Sequence, residues 1–245
     1  MYHHVFMAIV LALMSGISFD IFASDSKPLS KNMLMNQGRA QYKLCSGCHG
    51  LGGEGTQNFA PALSNSPIVN GPVYPLISAV IGGIAQSKGN KWDAYMPAWS
   101  GVLSHERLAS VITYIRNSLG NTTGDLVQPD TIVTVVFIYN AIKQAELPYD
   151  VKTCNYSMID EPIKADNVSV IKIEKSGKYN SPHNSKHKGV EYSPVITVTA
   201  RVSGICKNFD NKSDGAKEKY KRFISEFEFV IYKNNFERWT VKEVF

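Results

Sequence analysis

The stretch Cys45-Ser46-Gly47-Cys48-His49 constrains this chain more than any other. Two thiols separated by two small residues, with an imidazole directly after the second, form the C-x-x-C-H pattern of covalent haem attachment. The chemistry accounts for each position. The thiols must reach two vinyl groups on one edge of a porphyrin, and the two-residue spacer sets their separation. His49 must swing its imidazole beneath the iron, while Ser46 and Gly47 let the backbone lie close to the ring edge. A bare C-x-x-C would suit a dithiol redox pair, half a zinc site or a disulfide equally well. The adjoining His weighs against these, although a small Cys/His metal site stays open at this point.

Length and composition set the remaining bounds. A chain of 245 residues with 44% hydrophobic side chains can bury a real core and accommodates one or two domains. The net charge of +5 permits docking on an acidic partner or an anionic membrane surface. It comes without the dense Lys/Arg patches of nucleic-acid binders, so nucleic acid is not an expected partner. Of the four cysteines, Cys154 and Cys206 remain outside the motif. In an oxidising compartment such a pair is most simply a disulfide closing a long loop, with two buried free thiols as the competing reading.

The N-terminus bears on the compartment. Val5 to Met14 is apolar, Ser15-Gly16 follows, and Ala23 precedes Ser24, which reads as a secretory signal peptide cleaved near Ala23. Only His3 and His4 precede the apolar run, and Asp20 lies close to the cleavage region. The run has about half the ~20 residues a membrane span needs. An uncleaved N-terminal anchor is the alternative, and only through it would the chain be inserted in a membrane.

Ser30 to Leu44 reads as a helix capped by Ser30, with Leu34, Gly38 and Tyr42 on one face. A mid-helix Gly costs about 1 kcal/mol relative to Ala, so Gly38 implies close approach of another helix. Gly50 to Gly55 is a glycine-rich turn. No strand precedes it and no Lys-Ser/Thr follows, which removes the phosphate-cradle reading. Pro61, Ala62 and Leu63 lie in a loop. A haem-ligating His donates its other ring N–H to a carbonyl, and Pro61 is a candidate acceptor, with a plain loop proline as the competing reading. Tyr74 to Ile84 is an apolar segment expected to form a helix closing one side of the pocket. Of the seven methionines, Met96 sits on a loop stiffened by Pro97, where its soft thioether suits a sixth iron ligand. A final helix runs from Ser104 to about Leu119, and Leu108, Val111, Ile112 and Ile115 could lay one apolar stripe across the Gly38 face.

These residues together resemble a class I cytochrome c domain over residues about 30 to 120. The likeness is carried by Cys45, Cys48 and His49, the glycine-rich turn, Pro61 with Leu63, Tyr95-Met96-Pro97-Ala98-Trp99, and the terminal helix around Leu108 to Arg116. It implies an all-α fold and one haem c held by thioethers, with His49 proximal and Met96 distal. It further implies that the Pro61 carbonyl orients His49, that Leu63 belongs to the haem pocket and that Trp99 packs near the propionates. The residues are similar to those of cytochrome domains attached to periplasmic dehydrogenases or terminal oxidases.

A polar stretch, Gly120 to Asp130, separates this region from one of different character. Asp130 to about Glu146 suggests a helix with Ile132, Val135, Val136, Tyr139 and Ile142 on one face, though its β-branched residues leave a strand reading open. Val168–Ile173, Val195–Val202, Ile224–Tyr232 and Trp239–Val244 then alternate as strands covered on one face, with a hairpin turn at Lys233 to Asn235. A helix on an antiparallel sheet is the economical solution. His183 and His187 are spaced like a helical metal pair, but Pro182 and Gly189 favour a solvated loop. Lys217 to Arg222 is a basic cluster, read as a solvated face that could steer an acidic partner.

The expectation is an all-α cytochrome c fold followed by a smaller α+β domain. Its parts are a signal peptide (1–23), a haem domain (24–120), a linker (121–130) and an α+β docking module (131–245). Such a chain would be a periplasmic one-electron carrier between a redox donor and acceptor, not an enzyme. The alternatives are a haem-based sensor in which Met96 dissociates, or peroxide chemistry at iron opened by loss of Met96.

Overall fold

The computed structural model describes residues 27–84, 95–145, 165–176, 179–180, 191–192, 195–208, 219–233 and 239–244. The expected signal peptide, Cys154, His183 and His187 lie outside these residues, and with them the expected Cys154–Cys206 bridge. Among the described residues no helix is long and apolar enough to cross a membrane.

Helix α1 (Lys31–His49) begins where Ser30 Oγ accepts a hydrogen bond from Met33 N at 3.3 Å, and it buries Leu34, Gly38 and Tyr42. It continues five residues past the expected Leu44, through the whole Cys45–His49 motif. Only at Gly50, with φ 80°, does the chain leave the helix. Two short segments follow, α2 (Pro67–Asn70) and α3 (Val73–Gly82). Helix α4 (His105–Arg116) starts at Ser104, whose Oγ accepts from Arg107 N, and it buries Leu108, Val111, Ile112 and Ile115. It stops three residues short of the expected Leu119. Asn117 caps it, and Leu119 turns out of the helix at φ 58°. The α1–α4 crossing has the close approach expected at Gly38: a Cβ there would collide with the Ser110 carbonyl and stand 2.5 Å from Tyr114 Cβ.

Residues 121–128 form an extended strap tied along α4. Thr113 Oγ1 accepts from Val127 N at 3.0 Å, Asn117 Nδ2 donates to Asp125 O at 2.7 Å, and Arg116 pairs with Asp125. Gln128 exchanges hydrogen bonds with the Leu29 backbone. Helix α5 (Pro129–Gln144) follows, with Pro at its first position and Ile132, Val135, Ile138, Tyr139 and Ile142 buried. The strand alternative fails there because spacings of three and four gather these side chains on one buried face, and that burial outweighs β propensity.

The remaining strands are β1 (Ala165–Ser176), β2 (Tyr179–Asn180), β3 (Glu191–Tyr192), β4 (Val195–Asn208), β5 (Lys219–Lys233) and β6 (Trp239–Val244). They form an antiparallel sheet in the order β1-β4-β5-β6 and a separate β2-β3 pair. The alternation reads as expected: Phe229 and Ile231 are buried and Phe227 partly so, while Glu226 and Glu228 face solvent. Strand β1 meets α3, where Val170 N donates to Ser78 Oγ at 3.0 Å, and it also meets α5. One continuous apolar cluster runs from Leu34 through Ile77, Ile81 and Ile138 to Val170 and Ile231.

Candidate haem-binding site

Within the last turns of α1, Cys45, Cys48 and His49 stand at i, i+3 and i+4 and share one face. Both thiols are free. Burial, with the Cys48 sulfur adding to it, pushes the Cys45 thiol up to about 11, so it stays a neutral thiol near pH 7. After the motif the glycine-rich turn doubles the chain back. Gly55 N donates to His49 O at 2.8 Å, Thr56 Oγ1 to Cys48 O at 2.8 Å, and Leu63 N to Gly53 O at 2.8 Å. The turn thereby lays the Pro61 carbonyl 2.8 Å from His49 Nδ1. A carbonyl oxygen can only accept, so Nδ1 carries a proton, which in the neutral imidazole leaves the lone pair on Nε2.

These residues line a cavity of about 320 Å³. Helix α3 contributes Leu76, Ala79 and Val80, forming the wall expected of the Tyr74–Ile84 segment. Helix α4 contributes Val111 and Ile115. Pro61, Leu63, Met96 and Trp99 line the same space, so every predicted pocket residue of the first half comes together there. Met96 is held by two backbone hydrogen bonds with Ile84, at 2.9 and 3.1 Å, and Trp99 N donates to Val80 O at 3.1 Å.

Residues 35–118 match the family model for cytochrome c. That segment is a cytochrome c domain, consistent with the class I type. The region after it, including the sheet, is not covered by the match. Comparison with curated proteins finds no match to the chain.

The cofactor of a cytochrome c domain is covalently bound haem c, and the residues here fit it. Cys45 and Cys48 present two free sulfurs from one helical face, as thioether formation requires. The cavity beside them is lined largely by apolar side chains, the surface a porphyrin face needs. The nitrogen and sulfur of His49 and Met96 are donors that haem iron accepts.

Two residues shape the site in ways that their place in the sequence did not show. Asn121, one of several polar residues in its stretch, is buried, and its side chain makes four hydrogen bonds. Its Nδ2 donates to Leu63 O and Ile115 O, and its Oδ1 accepts from Asn65 N and Asn70 Nδ2, all between 2.8 and 3.0 Å. It ties the Pro61–Leu63 loop to the end of α4. Gly83 takes φ 69° beneath the Met96 loop, where a Cβ would stand 2.5 Å from Met96 O and 2.7 Å from Ala98 N. Only the spatial neighbour reveals why glycine stands there.

Proposed function

We propose that this protein is an exported, mono-haem electron carrier whose iron is held by His49 and Met96. The observation that carries the reading is the 2.8 Å contact between His49 Nδ1 and the Pro61 carbonyl, made in the cavity that Met96 also lines. Haem c supplies one-electron chemistry by cycling its iron between ferric and ferrous. The chain's part is to bind, orient and shield that group. Pro61 holds the imidazole in one tautomer and raises its basicity through the shared proton. The Met96 sulfur, a soft donor, favours the reduced state and raises the potential. If His49 and Met96 both hold the iron, the chain would leave no position for a substrate, which favours transfer over catalysis. Apolar residues of α3 and α4 keep water from the buried face. Leu63 belongs to that wall, and Trp99, which lines the same cavity, would pack near the propionates.

Phe59 and Tyr95 line the cavity and are exposed, Tyr95 by 61%, so a donor or acceptor would approach on their side. A periplasmic dehydrogenase or terminal oxidase is the proposed kind of partner. Residues 1–23 act as the signal peptide in this reading, residues 24–120 as the haem domain and 121–130 as the connection. Residues 131–245, in which a helix packs on the antiparallel sheet, form a docking module. Cys154 and Cys206 pair as a disulfide in the periplasm.

The test is the optical spectrum of the full-length haem protein. The ferric form should be low-spin with a weak sulfur-to-iron charge-transfer band, and the ferrous form should ignore carbon monoxide. Met96→Ala should abolish the band and admit carbon monoxide. A wild-type protein that is high-spin, or that binds carbon monoxide readily, would overturn the carrier reading in favour of a sensor.

A further inference from the structure

An α-helix leaves its final carbonyls without intrahelical partners, and something else must satisfy them. At the end of α3 the Met96 loop does so. Val80 O accepts from Trp99 N at 3.1 Å, and Ile81 O accepts from Ser100 Oγ at 2.7 Å and Ser100 N at 3.3 Å. Just beyond, Ile84 and Met96 exchange their backbone hydrogen bonds across Gly83. The loop that carries Met96 is therefore seated on the last turn of α3.

The same turn is gripped by residues far along the chain. Val170 N of β1 donates to the buried Ser78 Oγ at 3.0 Å, which in turn donates to Tyr74 O at 2.9 Å. Asn167 Nδ2, also on β1, stands 3.5 Å from Gly83 O, at the long end of a hydrogen bond. Tyr139 of α5 lies flush on Gly82, where a Cβ would stand 2.6 Å from the ring Cζ. Neither tethering nor partner docking calls for these contacts. They bind the unmatched region to the one helix end that seats the distal loop.

We propose that β1 and α5 position the Met96 loop through the end of α3, so that the C-terminal region sets how firmly Met96 holds the haem iron. This rests on the reading of Met96 as distal ligand. Ser78, Asn167 and Tyr139 are positioning residues: none is offered as touching the haem. If their grip is loosened, conformers with the loop displaced gain population, and an added ligand competes with Met96 in proportion.

The experiment titrates imidazole into the ferric, full-length haem protein and follows loss of the sulfur-to-iron band. The variants are Asn167→Ala, Ser78→Ala and both together. Glu226→Gln, exposed on β5 of the same sheet, is the control. The double variant should reach half-displacement at an imidazole concentration about fivefold lower, the size of effect expected from losing a net hydrogen bond. Its potential should fall as well, and Glu226→Gln should match wild type. An unchanged midpoint in a folded double variant overturns the proposal. Should the buried Ser78 change prevent folding, Asn167→Ala alone decides, and an unmoved midpoint there overturns it equally. A wild-type protein without the sulfur-to-iron band would sink the Met96 reading and this proposal with it. A normal wild-type band with immobile variants sinks this proposal alone.

Discussion

Tyr42 illustrates how single residues shape the site. It is buried on α1, its hydroxyl donates to Gly50 O at 2.7 Å, and its ring lies 5.6 Å from that of Tyr114. Burial above all, with Cys45, Glu54 and Tyr114 adding smaller contributions, pushes its hydroxyl up to about 12. The unfolded chain would lose that proton near 10.0, so the sign follows. Stability from this group is complete below pH ~10 and is lost as pH rises through ~12. In the haem protein Cys45 is a thioether and no longer adds to the shift, but burial, the largest cause, remains. Denaturant unfolding should therefore still show a stability decline as pH rises above ~10. Tyr42→Phe should flatten it, at a cost of about 1 kcal/mol near neutral pH from the lost hydrogen bond. A decline unchanged in Tyr42→Phe would assign the titration elsewhere. Tyr42 was legible as a core position from its spacing with Leu34 and Gly38. Its proton was not, because desolvation depends on what surrounds it.

At the scale of elements, the helices were legible where a cap and a period coincide. Ser30 and Ser104 both mark true starts, since each hydroxyl must accept an otherwise orphaned backbone N–H. The ends were less legible. Helix α1 overran its expected end because Gly47, at about 1 kcal/mol relative to Ala, weakens a helix without breaking it. Helix α4 ended early because Asn117 and Asn121 take over its last carbonyls. Asn121 joins three elements, so its removal should act on all of them. Asn121→Ala would leave Leu63 O, Ile115 O, Asn65 N and Asn70 Nδ2 short of partners, and should destabilise by about 3 kcal/mol. The check is the denaturant midpoint at constant slope. A loss below ~1 kcal/mol would mean that water replaces the amide.

On the scale of the molecule, the C-terminal region does not hang free of the haem domain. Its strand β1 is hydrogen-bonded to α3, and its core residues join the same apolar cluster. Deleting residues 125–245 would strip Asp125 from the buried Arg116 guanidinium and uncover α3, so truncation disturbs the haem domain as well as any docking surface. The docking proposal is better tested by charge in the full chain. Arg222 is exposed on β5 within the basic cluster. Arg222→Glu should lower the rate of electron transfer to an acidic partner severalfold at low salt and weaken its salt dependence. An identical rate and salt slope would remove this cluster from the docking surface.

Sequence by itself determined the haem attachment, because two thioethers and the imidazole beside them demand fixed residue types at short, local spacings. It also determined most of the strands and the cores of the helices, because burial on one face imposes a period of 2 or 3.6. Only the tertiary structure decided how Pro61 reaches His49, why Gly83 must lack a side chain, and that β1 grips the helix end beneath Met96. Those contacts join residues as many as 92 positions apart. Such contacts are set by the shapes of surfaces meeting in space, and no local pattern along the chain encodes them.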